Sequence, residues 1–260
     1  MGTYTGTEIK AIMGGIINLH GKVIIVTGAG SGIGRETSCV LAREGATVIM
    51  MDISADGLAE TISMGGEMCH SYPIDLTDVK AVTNVISEIV EQYGKLDGLV
   101  HCAGISSRKP LNVLSKDGFE KILNINFYAF VELVKVFAKK KYSNDGSSIV
   151  AMSSISSIRG YKAKSEYNVS KAAVDAFVRC MSLELASRQI RVNSIMPGEV
   201  LTPMALRAKE LNAAANAVEY IQPLGPTHPF EVANLIAFLL SDATKTITGT
   251  SIRIDGGACV

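Results

Sequence analysis

From Lys22 onward the apolar positions fall into two alternating patterns. Short runs, mostly apolar and β-branched, occur at Val23–Thr27, Thr47–Met51, Leu96–His101, Ser148–Met152, Arg191–Ile195 and Thr250–Ile254. Between them lie longer segments with helical spacing, roughly 32–44, 56–64, 77–93, 115–141, 165–187 and 229–241. Apolar runs that do not alternate with polar residues, bounded by Gly or Asp, mark strands buried on both faces. Strands separated by helices imply right-handed crossovers and a parallel sheet. A seventh strand near Met68–Tyr72 is weaker in pattern. It is needed, because residues 53 to 95 would otherwise hold helices with no strand between them. The spacing therefore predicts a doubly wound α/β domain.

No linker, internal repeat or low-complexity tract interrupts this order. The longest charge block is Lys139–Lys141, expected near a helix end where cations favour the macrodipole. Residues 19–260 are read as one domain and residues 1–18 as an N-terminal extension, whose apolar patch at Ala11 to Ile17 lacks the cationic flank of a signal peptide. With 260 residues the chain can bury a sizeable core. Its 25 basic and 25 acidic residues balance, which removes the field expected of a nucleic-acid or acidic-membrane partner. No apolar run approaches the roughly 20 residues that span a bilayer. The five cysteines are scattered, without metal-ligand spacing, so no metal site is expected and a cytoplasmic location is.

The first candidate chemistry sits where the first strand meets a helix, in Thr27-Gly28-Ala29-Gly30-Ser31-Gly32-Ile33-Gly34. Glycines there let the backbone approach a pyrophosphate, and a helix N-terminus offers unpaired N–H groups. The spacing is Gly-x-x-x-Gly-x-Gly at Gly28, Gly32 and Gly34; taken alone, such a turn also serves packing. Asp52 strengthens the reading. It ends the second strand, 18 residues beyond Gly34, where this fold places an adenosine ribose. A carboxylate there accepts from both ribose hydroxyls and repels a 2′-phosphate, so NAD is expected over NADP. A helix-capping role for Asp52 is the competing account. Arg35, in the first turn of the helix, is expected at the surface or on the pyrophosphate side.

The second candidate is Tyr167-Asn168-Val169-Ser170-Lys171, with Tyr and Lys one turn apart on a helix. Ser154 lies 13 residues earlier, directly after a buried strand. The ordered set of TGAGSGIG at 27–34, Asp75-Leu76, Ala103-Gly104, Asn126, Ser154, Tyr167 with Lys171, Pro197-Gly198 with Thr202, and Asp255-Gly256-Gly257 resembles the short-chain dehydrogenase/reductase family from about Leu19 to Gly257.

The resemblance implies a Rossmann-type sheet of strand order 3-2-1-4-5-6-7 and interconversion of a secondary alcohol and a ketone. It assigns Tyr167 as general acid/base, Lys171 to the nicotinamide ribose and the phenol, and Ser154 to the carbonyl oxygen. Asn126 would hold a water leading from Lys171 to solvent, with Asn124 as its competitor. A free phenol has a pKa near 10, so a base at neutral pH needs a nearby cation. Cofactor contacts are expected from Gly28, Ser31, Gly32, Ile33, Gly34, Asp52, Asp75, Leu76, Cys102, Ala103, Gly104, Tyr167, Lys171, Pro197, Gly198, Val200 and Thr202.

Several residues are set aside. Tyr161 has Ser at position 165 where a lysine would be needed; Ser153, Ser156 and Ser157 are expected as loop formers, and His101 as structural. The chain departs from the family at His101-Cys102, where two asparagines are usual; this puts local bracing in doubt. Arg108 and Lys109 are exposed cations able to meet an anionic group, though solvation is the simpler expectation. Residues 205–222 are expected to close over substrate, and a homotetramer is expected. A 3-oxoacyl-[acyl-carrier-protein] reductase and a non-catalytic dinucleotide sensor remain as alternatives.

Overall fold

The computed structural model describes residues 17–207 and 222–260; the extension up to residue 16, and 208–221 of the expected lid, lie outside the described residues. Seven parallel strands form one sheet: β1 Val23–Thr27, β2 Thr47–Asp52, β3 Cys69–Pro73, β4 Leu96–His101, β5 Ser143–Met152, β6 Arg191–Pro197 and β7 Ser251–Ile254. Their order across the sheet is β3-β2-β1-β4-β5-β6-β7, as expected. The helices that lie wholly within the described residues are α1 Gly32–Arg43, α2 Ala55–Gly65, α3 Val79–Tyr93, α4 Lys116–Leu123, α5 Ala129–Phe137, α6 Ser165–Glu184 and α7 Pro229–Leu240.

The period-two geometry of the strands divides the core into two layers. Ile24 and Val26 face one layer with Val40, Leu41 and Leu58 of α1 and α2 and Val232 and Ile236 of α7. Val23 and Ile25 face the other, with Ile86 of α3, Phe130 and Leu133 of α5, and Val174 and Val178 of α6. Side-chain caps start three helices: Ser54, Asp78 and Ser115 accept from the N–H groups of Gly57, Ala81 and Gly118.

Two segments differ from expectation. The 115–141 pattern is not one helix: it breaks into α4, a π turn at Asn124–Tyr128, and α5, and ends at Phe137. The lysine triplet lies just beyond that end. β5 starts at Ser143, five residues early, and its pairing with β4 shifts register between Leu96 and Gly98.

Register aligns the strand ends. Thr27 lies opposite both Met51 and His101, His101 opposite Ala151, and Ala151 opposite Ser194. Every expected site residue on β1, β2, β4 and β5 or their following loops thus belongs to one carboxyl edge, where open α/β sheets bind ligands.

Candidate active site

At that edge the Gly loop is held by backbone contacts on all sides. Gly28 has φ +67°, and a Cβ there would lie 2.7 Å from the N of Ala103. β1 and β4 can therefore close together only without a side chain at 28. A Cβ on Gly34 would overlap the Gly28 carbonyl, and one on Gly32 would touch the Thr202 methyl at 3.4 Å. Thr202 thereby stands over the loop, its hydroxyl accepting from the Ala205 N–H at 3.3 Å. Ser31 opens α1 in extended geometry without a side-chain cap, so its hydroxyl does not occupy the first N–H groups of the helix. That is the arrangement an anion-binding N-terminus needs.

Asp52 completes the groove from β2. Its Oδ2 accepts from the Gly30 N–H at 2.9 Å and its Oδ1 from the Ser54 N–H at 2.9 Å. Each oxygen keeps a further lone pair. The cap of α2 is Ser54, not Asp52, so the capping account fails. Arg35 turns to α2: its guanidinium donates to the Gly30 carbonyl, to Thr61 Oγ1 at 3.1 Å and to Glu60 Oε2 at 2.6 Å. The groove fits an adenine dinucleotide on its geometry: a cradle that any Cβ would fill, open N–H groups, and a carboxylate 18 residues beyond.

The catalytic candidates meet one strand further along. Ser154 follows β5, nearly buried, its Oγ accepting from the Ser156 N–H at 3.1 Å. Tyr167 and Lys171 sit on α6, with the ammonium 5.7 Å from the phenol ring centre. Burial pushes the Tyr167 phenol above its ordinary value, and a hydrogen bond with Ser154 works against that rise. Lys171 is buried and donates to the Met152 carbonyl at 2.7 Å. Burial brings its pKa down to about 8, opposed by Cys102 and by Asp175 one turn along.

Asn126 occupies the π turn, buried, whereas Asn124 is exposed. Its Oδ1 accepts from the Ile105 N–H at 2.8 Å, and its Nδ2 donates to the Ile105 carbonyl at 3.0 Å and to Ser170 Oγ at 3.0 Å. The side-chain amide is committed to the chain itself. A π turn at a functional position is a recurrent device.

The other expected residues vary. Ala103 and Gly104 lie against Gly28 and Asn126. Val200 is buried and bridges to Thr227, and the Gly198 N–H donates to Ile254, so Pro197-Gly198 continues β6 beside β7. Asp75 folds onto its own loop: Oδ1 accepts from Thr77 N–H at 2.9 Å and Thr77 Oγ1 at 2.8 Å, which holds its carboxyl below the usual range. Leu76 is buried against the α3 layer. Cys102 meets the Thr37 hydroxyl, and burial pushes its thiol up to about 12.

His101 restores the bracing that the missing asparagines put in doubt. Its Nδ1 lies 2.9 Å from Thr27 Oγ1, which also accepts from the Ala103 N–H at 3.3 Å. Burial holds this imidazole near pKa 3, neutral and structural. Ser170, Thr27, Thr61 and Ser153 were not expected at the site. Ser170 Oγ joins Asn126 to the Tyr167 carbonyl, Thr61 Oγ1 donates to the Ala29 carbonyl, and Ser153 Oγ donates to the Lys171 carbonyl. Nothing in the local sequence distinguishes these hydroxyls from loop formers.

Known proteins resemble this chain over most of its length. Residues 28–259 match the family model described as Enoyl-(Acyl carrier protein) reductase. A 3-oxoacyl-[acyl-carrier-protein] reductase of Thermotoga maritima is 36% identical over 249 residues, covering 94% of this chain and 100% of that protein. A cyclopentanol dehydrogenase of a Comamonas species is 33% identical over 250 residues, covering 92% and 97%. The structure of a Brucella melitensis protein titled a short-chain dehydrogenase/reductase, glucose/ribitol dehydrogenase, superposes with a TM-score of 0.86 at 28% identity, covering 94% and 99%. The chain belongs to the short-chain dehydrogenase/reductase family and is a nicotinamide-dependent oxidoreductase of the alcohol–ketone couple.

Proposed function

We propose that this enzyme interconverts a secondary alcohol and a ketone with NAD(H), Tyr167 carrying the proton. The observation that supports the cofactor choice best is Asp52 at the end of β2 beside Gly30, with Arg35 committed to Gly30, Thr61 and Glu60. A carboxylate at that point repels a 2′-phosphate, and the nearest guanidinium is already engaged. When bound, the nicotinamide supplies or accepts the hydride.

The chain's own residues do the rest. The Ser154 hydroxyl orients the carbonyl oxygen and donates to the negative charge that develops there. Tyr167, kept as a phenol by burial, gives that oxygen its proton in reduction and takes it back in oxidation. Lys171, charged below about pH 8, stabilises the phenolate from one turn away. The groove from Gly28 to Gly34, with Asp52, Ala103, Gly104, Val200 and Thr202, holds the dinucleotide.

A 3-oxoacyl thioester is the second substrate reading, favoured by the Thermotoga maritima relative; Asp52 stands against the NADPH such reductases normally use. A dinucleotide sensor without turnover is disfavoured by a complete set of Asn126, Ser154, Tyr167 and Lys171. Residues 19–260 act as one domain, and α6 supports a homotetramer by leaving Leu183 and Val169 exposed. Light scattering at micromolar concentration giving a monomer mass would remove that assembly. The five free thiols fit a reducing, cytoplasmic compartment, which fractionation checks.

The function is tested by absorbance of the reduced nicotinamide with a panel of ketones, offering NADH and NADPH in parallel. Turnover with NADH at higher kcat/KM is expected. A preference for NADPH overturns the cofactor assignment, and no turnover with either overturns the enzyme reading.

A further inference from the structure

A half-buried ion pair at the start of α6 has no part in the chemistry described so far. Glu166 precedes Tyr167 in the first turn of α6 and is 1% exposed. Its Oε1 accepts from Lys109 Nζ at 3.2 Å, and its Oε2 has no hydrogen-bond partner. Lys109 belongs to the loop that follows β4 and Gly104, on the same carboxyl edge, and its side chain is 40% exposed. The same residue is tied a second time: its backbone N–H donates to the Ala163 carbonyl at 2.8 Å. Ala163, in the loop leading into α6, has φ +64°, a region that side-chain-bearing residues avoid.

A third element makes room. Gly118 lies inside α4, where glycine is a poor choice for a helix. Any Cβ at 118 would overlap the Glu166 carboxylate and come within 2.7 Å of Lys109 Nζ. Three local preferences are therefore overridden at one point: a strained alanine, a helical glycine, and a carboxylate buried with half its oxygens unpartnered. Burying an ion pair brings little stability, because desolvation offsets most of the attraction. What the pair does supply is position. It fixes the loop after β4 against the start of the helix that carries Tyr167.

We propose that Lys109 and Glu166 are positioning residues that hold the substrate-side loop against the catalytic helix and so determine how well a ketone is held, while leaving the rate of its reduction once bound nearly unchanged. This rests on the alcohol–ketone reading above. The loop from Ile105 to Val113 and the loop from Ile158 to Lys164 both emerge at the strand ends beside Ser154 and Tyr167. Released from each other, they would leave the phenol, Lys171 and the dinucleotide groove in place.

The test compares wild type, Lys109→Met, Lys109→Arg and Glu166→Gln with NADH and the ketone that wild type reduces fastest in the panel. In Lys109→Met the KM for the ketone should rise about tenfold, with kcat within about threefold and the KM for NADH unchanged. Lys109→Arg, which keeps the charge, should return the KM to within about threefold of wild type. An unchanged KM in Lys109→Met, a kcat that falls as far as kcat/KM, or an arginine no better than methionine overturns the proposal. Should Glu166→Gln fail to fold, Lys109→Met still decides, since that lysine is partly exposed. Amide exchange separates this proposal from the functional reading. If wild type reduces no ketone, the functional reading fails, while the Lys109 amide should still exchange about tenfold faster in Lys109→Met; equal protection there refutes the contact as a positioning device.

Discussion

The proposed dinucleotide groove and the proposed catalytic centre are built from different materials. Around Gly28 the work is done by backbone: the close approach of Ala103, the open N–H groups after Ser31, and a carboxylate that grips the Gly30 N–H. Around Tyr167 it is done by buried polar side chains: Ser154 bonds the phenol, Ser170 accepts from the Asn126 amide, Lys171 donates to the end of β5 and Asp175 accepts from Ser194 of β6. A groove closed by backbone at Gly28 and Gly34 has one geometry and leaves no room for an added atom at those two positions. A centre made of side chains can be tuned, and its charges respond to pH. The two regions should therefore fail in different ways.

Gly28→Ala should give the largest effect on cofactor binding. The left-handed φ and the Ala103 backbone at 2.7 Å leave no room for a methyl group, so β1 and β4 must part. Strain and displacement of about 3 kcal/mol correspond to roughly a hundredfold weaker NADH binding. Fluorescence titration checks this, and affinity within threefold of wild type would break the claim that backbone geometry makes the groove.

Asn126→Ala comes next. It leaves the half-buried N–H and carbonyl of Ile105 unpaired, a loss of about 2 kcal/mol, or about 6 °C in Tm for a chain of this size. NADH affinity should change little. A thermal melt superimposable on wild type would show that the π turn does not depend on this amide.

The smallest effect sharpens the electrostatic side. In the proposed mechanism Lys171 works in its protonated form, so activity should be present below its pKa and lost above it. The value of about 8 places the alkaline fall of kcat/KM for ketone reduction there, roughly tenfold per unit at the limit. Asp175 opposes that lowering, so Asp175→Asn should move the fall to lower pH. A profile flat to pH 10, or one displaced upward in the variant, would contradict this assignment.

The two regions also differ in how far the sequence discloses them. The alternation of strands and helices, the Gly loop and the Tyr167–Lys171 pair are legible because each is a matter of spacing: alternating elements, glycines, or one helical turn; the strand order across the sheet is implied by the family resemblance. Thr27, Ser153 and Ser170 are not, since a hydroxyl's role depends on which carbonyl or amide stands across from it after folding. The π turn is hidden for a related reason. Ile122, Phe130, Leu133 and Phe137 keep helical spacing through 115–141, while the extra residue per turn accompanies Asn126's bonds to Ile105 and Ser170. Polar Ser143–Ser147 conceals the early start of β5, and His101 conceals a brace that a pair of asparagines would have announced.

The proposed proton transfer turns on the Tyr167 hydroxyl. Single-turnover oxidation of bound NADH by a ketone, followed by stopped-flow absorbance in wild type and Tyr167→Phe, reads that hydroxyl alone. Loss of the proton donor should slow the step by about a thousandfold while NADH affinity stays within about threefold. Equal rates in the two proteins would contradict the assignment of Tyr167 as the acid.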